Sequence, residues 1–387
     1  MTADRFTAKA KPRQRSSKDL DVARKLKSDK VLFITALLLV CTSIVMVYSA
    51  SAVIALKEEN DSYHYVTRQA MFAVVGIAAL VVAMRVDYRA YRNEKFIYGV
   101  LGGVGVMLVA VLFASPINGA QRWLSLGGIS LQPSEFAKIA CVLLTALVLE
   151  RRMHRINEPR YALLPIALAV GGIVTLIVKQ PDLGTAAALM LIVAVMVFGA
   201  GLSYRYVAGA AIVALPLLYI LMMSAEYRVR RIMAFLDPEA DLRGAGYQAY
   251  QSILAVGSGG ILGRGLNEGL QKLFYLPEPH NDFLFAVIGE ELGLIGASCV
   301  LVCFAVIGWR GLRIALRSED AFGAFVALGL TAMICAQALF NMSVVLSLLP
   351  TKGIPLPLLS AGGSSLLASL IGIGVLLNIS QHATAEA

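Results

Sequence analysis

Val31-Leu-Phe-Ile-Thr-Ala-Leu-Leu-Leu-Val-Cys-Thr-Ser-Ile-Val-Met-Val-Tyr-Ser-Ala-Ser-Ala-Val53 is a stretch of 23 residues without a charge. A helix that crosses a bilayer takes about 20 apolar residues, so this run is long enough to span. It is too long for the apolar core of a typical cleaved signal, and thirty polar residues precede it, so an uncleaved signal anchor is expected. Those first thirty residues hold ten Lys and Arg against four Asp. A basic tail ahead of a span fits the inner, anionic face of a membrane.

The rest of the chain repeats the pattern. Of its 387 residues 58% are hydrophobic and 15% charged, against roughly 25% charged in soluble domains. The mean hydropathy is +0.73. This composition rules out a disordered chain and argues against a water-soluble enzyme, because the chain has too few polar residues to cover such a surface. Ten spans are expected, at about 31–53, 69–86, 97–115, 133–150, 161–179, 183–202, 206–225, 282–309, 322–349 and 358–380. The fold class is all-α, a polytopic membrane protein with about ten transmembrane helices and one long outer loop. Residues 1–30 form a basic cytoplasmic tail, 31–382 the transmembrane domain with its long loop at 226–281, and 383–387 a short cytoplasmic end.

The net charge of +9 comes mostly from the tail and does not point to nucleic acid. With the N-terminus cytoplasmic, 22 Lys and Arg lie inside and ten outside, so both termini are expected in the cytoplasm. The five cysteines lie in apolar runs with no metal spacing, and the four histidines are scattered. The 226–281 loop, about 56 residues, carries charges, aromatics and the run Gly257-Ser-Gly-Gly-Ile-Leu-Gly-Arg-Gly265. Loops this long are usually functional or disordered. The glycines match neither a P-loop nor a dinucleotide fingerprint.

Ionisable residues in or beside spans are costly there and are functional candidates by default. Glu135 and Lys138, in Gln132-Pro-Ser-Glu-Phe-Ala-Lys138, share a helix face; they are either a structural ion pair or part of a site. Arg122, beside Trp123, can hold a phosphate through its planar fork, or the pair is an interfacial anchor. Asp182, in Lys179-Gln-Pro-Asp-Leu-Gly-Thr185, is best read as the cap of the next helix. Asp282 sits where the long loop re-enters the membrane, in Pro279-His-Asn-Asp-Phe283. Partial desolvation there raises a carboxylate towards the range of a general base; a plain N-cap role is the alternative, and both can hold. Glu290 and Glu291 follow about 12–14 Å further along a helix, and one of them is expected to face the interior and pair with a Lys or Arg. Leu349-Pro-Thr-Lys-Gly-Ile-Pro-Leu-Pro-Leu-Leu-Ser-Ala-Gly-Gly-Ser-Ser365, preceded by Gln337 and Asn341, implies irregular backbone that lines a cavity or is buried in protein. Lys352 is a cation at its mouth.

Taken together, Asn118–Lys138, Gln180–Thr185, Phe235-Leu-Asp-Pro-Glu239 with Gly246-Tyr-Gln248 and Gln251-Ser252, Leu276–Gly293 and Leu349–Ser365 resemble the SEDS family (shape, elongation, division and sporulation) from the first span to the C-terminus. Pro350-Thr-Lys-Gly353 resembles the division branch more than the elongation branch. Ala361 departs from the tyrosine that the family often has there. The resemblance implies a peptidoglycan glycosyltransferase that polymerises lipid II, a disaccharide-pentapeptide on undecaprenyl pyrophosphate, at the outer face of the bacterial inner membrane and at the division septum. It implies a class B penicillin-binding protein and other division proteins as partners. The family's essential aspartate falls on Asp282, the residue that the physical reading also selects. Arg122, His280, Lys352 and Ser360, in matching motifs, and Lys272, just ahead of the Leu276–Gly293 block, are the substrate-side candidates, with the arginines at 228, 230 and 231 as further cations for the pyrophosphate. Glu135, Lys138, Asp182, Glu290 and Glu291 are the supporting set. A divalent cation, Mg or Mn, is compatible with this chemistry, and the sequence shows no complete ligand set for one. The rival readings are a flippase or transporter of lipid-linked precursors, which would show paired half-repeats and a midplane site, a scaffold without activity, and an enzyme of the elongation branch.

Overall fold

The computed structural model describes residues 28–115, 121–126, 129–237, 244 and 246–383. Most of the basic tail, Asn118, Glu239 and the last residues of the C-terminus lie outside the described residues.

Twelve α-helices make up the described chain. They are α1 (Lys30–Glu59), α2 (His64–Arg85), α3 (Glu94–Val111), α4 (Pro133–Arg152), α5 (Leu163–Lys179), α6 (Leu183–Gly199), α7 (Tyr204–Met223), α8 (Glu226–Leu236), α9 (Tyr247–Gly259), α10 (Leu284–Arg317), α11 (Ala321–Val345) and α12 (Gly363–His382). Each of the ten expected spans meets a helix, and α8 and α9 lie in the long loop. Seven helices, α1–α3, α7 and α10–α12, are long and apolar enough to cross a membrane. Helices α5 and α6 are 17 residues each. Helix α4 is 20 residues long and carries Glu135 and Lys138 among its buried residues.

Local chemistry sets the helix ends. The Asp29 carboxylate accepts the Leu32 amide at the start of α1, and Asn60 closes its end in the left-handed region at φ 55°. Proline at the first position of α4 loses only an amide that would have no intrahelical partner. The last predicted span starts five residues late, at Gly363 rather than 358. Pro355 and Pro357 keep the chain extended before it, and the Ser360 hydroxyl accepts the Leu356 amide to close a turn there. A short antiparallel ribbon, β1 (Leu124–Leu126) against β2 (Ile129–Leu131), pairs Ser125 with Ser130 ahead of α4.

Helices α4, α11 and α12 form the buried centre, with α2 and α6 against them. Small residues let the backbones close up: Gly374 of α12 lies against the Leu80 carbonyl of α2. Helix α7 is exposed along its length and packs chiefly on α8. Helix α10 is broken at Gly293, where φ is 66°.

Candidate active site

Four segments converge on Asp282. The first is the loop that ends at Phe283. The alternative N-cap role for Asp282 does not hold, because Phe283 is the residue that precedes α10 and no side chain caps that end. The Asp282 carboxylate is turned instead towards the irregular segment 346–362. A Cβ on Gly353 would stand 2.5 Å from its Oδ2, so only glycine allows this approach. Asn341 of α11 fixes both strands of chain at once. Its Nδ2 donates to the Asp282 carbonyl at 2.7 Å and to the Ile354 carbonyl at 2.8 Å.

The second segment is the turn between α5 and α6. Asp182 caps α6 as expected, accepting from the Thr185 amide at 3.2 Å and its hydroxyl at 2.7 Å. Lys352 lies across Gly184, where a Cβ would fall 2.2 Å from its Cε, and so sits in the field of Asp182. The third segment brings Arg122, whose guanidinium donates to the carbonyls of Gln180 (3.4 Å) and Pro181 (2.6 Å). The fourth is α8, from which Arg231 reaches the Thr351 carbonyl at 3.5 Å.

The electrostatics follow from this crowding. Asp282 is only partly exposed, and burial pushes its carboxyl up to about 7. Glu278 and Asp182 push the same way, while Arg122 and Arg231 oppose them. Burial also brings the Lys352 ammonium down to about 8, with Asp182 resisting and Arg122, Arg231 and Arg228 assisting. A carboxylate poised near neutrality beside several cations can remove a proton and meet developing negative charge in one place.

Other candidates lie around this cluster. His280 is buried, its ring 4.3 Å from that of Tyr65, and its Nδ1 has no hydrogen-bond partner. Burial lowers it to about 4, so it is neutral. Its carbonyl accepts the Ala361 amide at 2.9 Å, a backbone contact that is indifferent to the missing tyrosine ring. Ser360 is buried and spent on the turn already described. Lys272 is committed elsewhere, to Glu291 (2.7 Å), Ser49 (3.0 Å) and Asn267 (2.8 Å). Both Glu290 and Glu291 are buried, rather than the single interior acid expected. Glu135 and Lys138 pair at 2.9 Å, and Lys138 also donates to Gln337, whose amide donates to Pro355 at 3.0 Å. The pair thus supports segment 346–362 from below. Among the described residues, no three His, Cys, Asp or Glu side chains come together as a metal cage.

Sequence reading missed Gly184 and Gly353 as points of close approach. It named Gln337 and Asn341 without a role. Their spacing of four puts two amides on one face of an apolar helix, which was the available signal.

Residues 29–385 match the FTSW_RODA_SPOVE family, described as cell cycle proteins. The chain belongs to that family. It is 43% identical over 359 residues to the probable peptidoglycan glycosyltransferase FtsW of Geobacter metallireducens, covering 92% of this chain and 95% of the relative. It is 41% identical over 360 residues to stage V sporulation protein E of Bacillus subtilis, covering 93% and 98%. Its fold is similar to a chain from a solved structure described as structural coordination of polymerization and crosslinking by a peptidoglycan synthase complex. There the TM-score is 0.75 at 30% identity, over 92% of this chain and 98% of the other.

Proposed function

We propose that this chain polymerises lipid II into glycan strands for septal wall synthesis, as a peptidoglycan glycosyltransferase of the division branch. The observation that carries the reading is the Asp282 carboxylate set against Gly353 and tied by Asn341 to segment 346–362, with Arg122 and Arg231 in its field and burial raising its carboxyl. Asp282 takes the proton from the acceptor sugar's 4-hydroxyl. That oxygen attacks the anomeric carbon of the donor, a glycosidic C–O bond forms, and the bond to undecaprenyl pyrophosphate breaks. The proton on Asp282 returns to water. Arg122, Arg231 and Lys352 meet the charge on the departing pyrophosphate. Two carboxylates, Asp182 and Asp282, set among cations are a poor cage for a divalent ion, and no step is assigned to one.

The distribution of 22 inner and ten outer Lys and Arg supports an orientation with both termini in the cytoplasm and 226–281 outside. Asp282 then works at the outer face of the inner membrane, where the lipid-linked substrate arrives. The likeness to a complex that coordinates polymerization and crosslinking supports a cross-linking penicillin-binding protein as partner; its class B type and the other division proteins follow from the division-branch motifs alone. The transporter reading predicts movement of the lipid without bond formation. Purified protein incubated with lipid II, with and without the transpeptidase, separates the two. Glycan chains resistant to penicillin support polymerisation; lipid II recovered unchanged under both conditions refutes it.

A further inference from the structure

The glycine-rich run and the paired acids of α10, which the chemistry above leaves unused, meet in one place. Helix α10 breaks at Gly293, so the carbonyls of Glu290 and Glu291 and the amides of Leu294 and Ile295 lose their helical partners. Segment 260–265 supplies replacements for all four. The amides of Arg264 and Gly265 donate to Glu290 (3.0 Å) and Glu291 (3.1 Å), and the carbonyls of Gly260 and Ile261 accept Leu294 (2.9 Å) and Ile295 (3.2 Å). The fit leaves no room for a side chain: a Cβ on Gly263, at φ 83°, would lie 2.2 Å from the Glu291 carbonyl oxygen.

The acids then hold the chain beyond the splice. Glu290 Oε1 accepts the Leu270 amide (2.8 Å), and the Gln271 amide is shared between Oε1 (3.3 Å) and Oε2 (3.2 Å). Glu291 accepts the Asn267 amide (3.0 Å), the Ser49 hydroxyl of α1 (2.7 Å) and the Lys272 ammonium (2.7 Å). Both carboxylates are almost wholly buried. From Lys272 ten residues of irregular chain lead to Asp282.

We propose that Glu290, Glu291 and Lys272, with the spliced glycines, form a latch that positions Asp282, so that these three are positioning residues for glycosyl transfer. The proposal rests on the functional reading given above. The latch fixes the loop at one end and Asn341 at the other, and the rate depends on both because a misplaced base loses its alignment. Loosening the latch also admits water to Asp282, which otherwise faces Glu278 of its own loop, Arg122, Asp182 at the start of α6 and Arg231 of α8.

Four forms of the full-length protein test this: wild type, Glu290→Ala, Glu290→Gln and Asp282→Asn. Hydrogen exchange and polymerisation at saturating lipid II are both read, the latter across pH. Glu290→Ala is expected to speed exchange in 263–271 while α11 and α12 keep their protection. It is expected to lower the maximal rate about tenfold or more and to move the acid limb of the pH profile down towards an ordinary carboxylate. Partial loss of folded protein would lower the rate without moving that limb. Glu290→Gln keeps one acceptor oxygen for the Leu270 amide but sets an NH2 group against the Gln271 amide in place of the other oxygen, so exchange, rate and limb should fall between wild type and Glu290→Ala. Unchanged exchange in Glu290→Ala overturns the latch, and faster exchange with an unmoved rate and limb overturns the positioning role. An active Asp282→Asn overturns the functional reading instead, and leaves the exchange result standing.

Discussion

At the residue scale the account turns on one carboxyl and one ammonium. Asp282 acts as a base only when ionised. Its value of about 7 makes the rate rise with pH through neutrality and fall about tenfold per unit well below it. Lys352, at about 8, must stay protonated to meet the pyrophosphate, so the rate falls again as pH rises past that value. The expected profile is a narrow bell between the two, its acid limb reporting Asp282 and its alkaline limb Lys352. Single-turnover polymerisation at saturating lipid II measures it. A flat profile from pH 5 to 9 would remove both groups from the chemistry. Gly353 offers a sharper probe of the same spot. An alanine methyl there meets the Asp282 carboxylate, so Gly353→Ala should cut turnover by about tenfold or more, while thermal unfolding of the protein moves little.

At the scale of elements, α4 and α11 hold segment 346–362 in place through a chain of polar groups running from Glu135 through Lys138 and Gln337 to Pro355. Removing one charge strands the other in low dielectric, at a cost of about 3–5 kcal/mol. Glu135→Gln and Lys138→Met should therefore each lower the melting temperature and the activity, and the double variant should recover part of the loss in stability. Additive damage would mean that the two act separately. The helices themselves were legible in sequence because a 20-residue apolar run has few other fates in lipid. Asp282, Arg122, Lys352 and the Glu135–Lys138 pair were legible because charge beside apolar runs is rare. What the sequence hid was the consequence of backbone irregularity. The break at Gly293, the approach of Gly353 to Asp282 and the burial of both Glu290 and Glu291 depend on contacts between distant segments. A helical reading of 282–309 carries straight through that break. Lys272 looked like a cation for substrate because its partners, Ser49 and Glu291, lie far from it in sequence.

For the whole molecule, the bundle must be inserted so that Asp282 meets its substrate. The proposed orientation, ten spans with both ends inside, puts loop 226–281 on the outer side. Single cysteines placed in that loop, in a cysteine-free background, should react with an impermeant reagent in intact spheroplasts; reaction only after lysis would invert the orientation and separate Asp282 from its proposed substrate. The exposed helix α7 packs chiefly on α8, which carries Arg231. Polymerisation by Asp282→Asn is the most direct test of the whole scheme. The amide keeps the size and the backbone contacts to Asn341 and removes only the base. With purified, folded protein at saturating lipid II, wild type should build glycan chains and Asp282→Asn should build none above background. Chains made by Asp282→Asn at a rate near wild type would contradict the account.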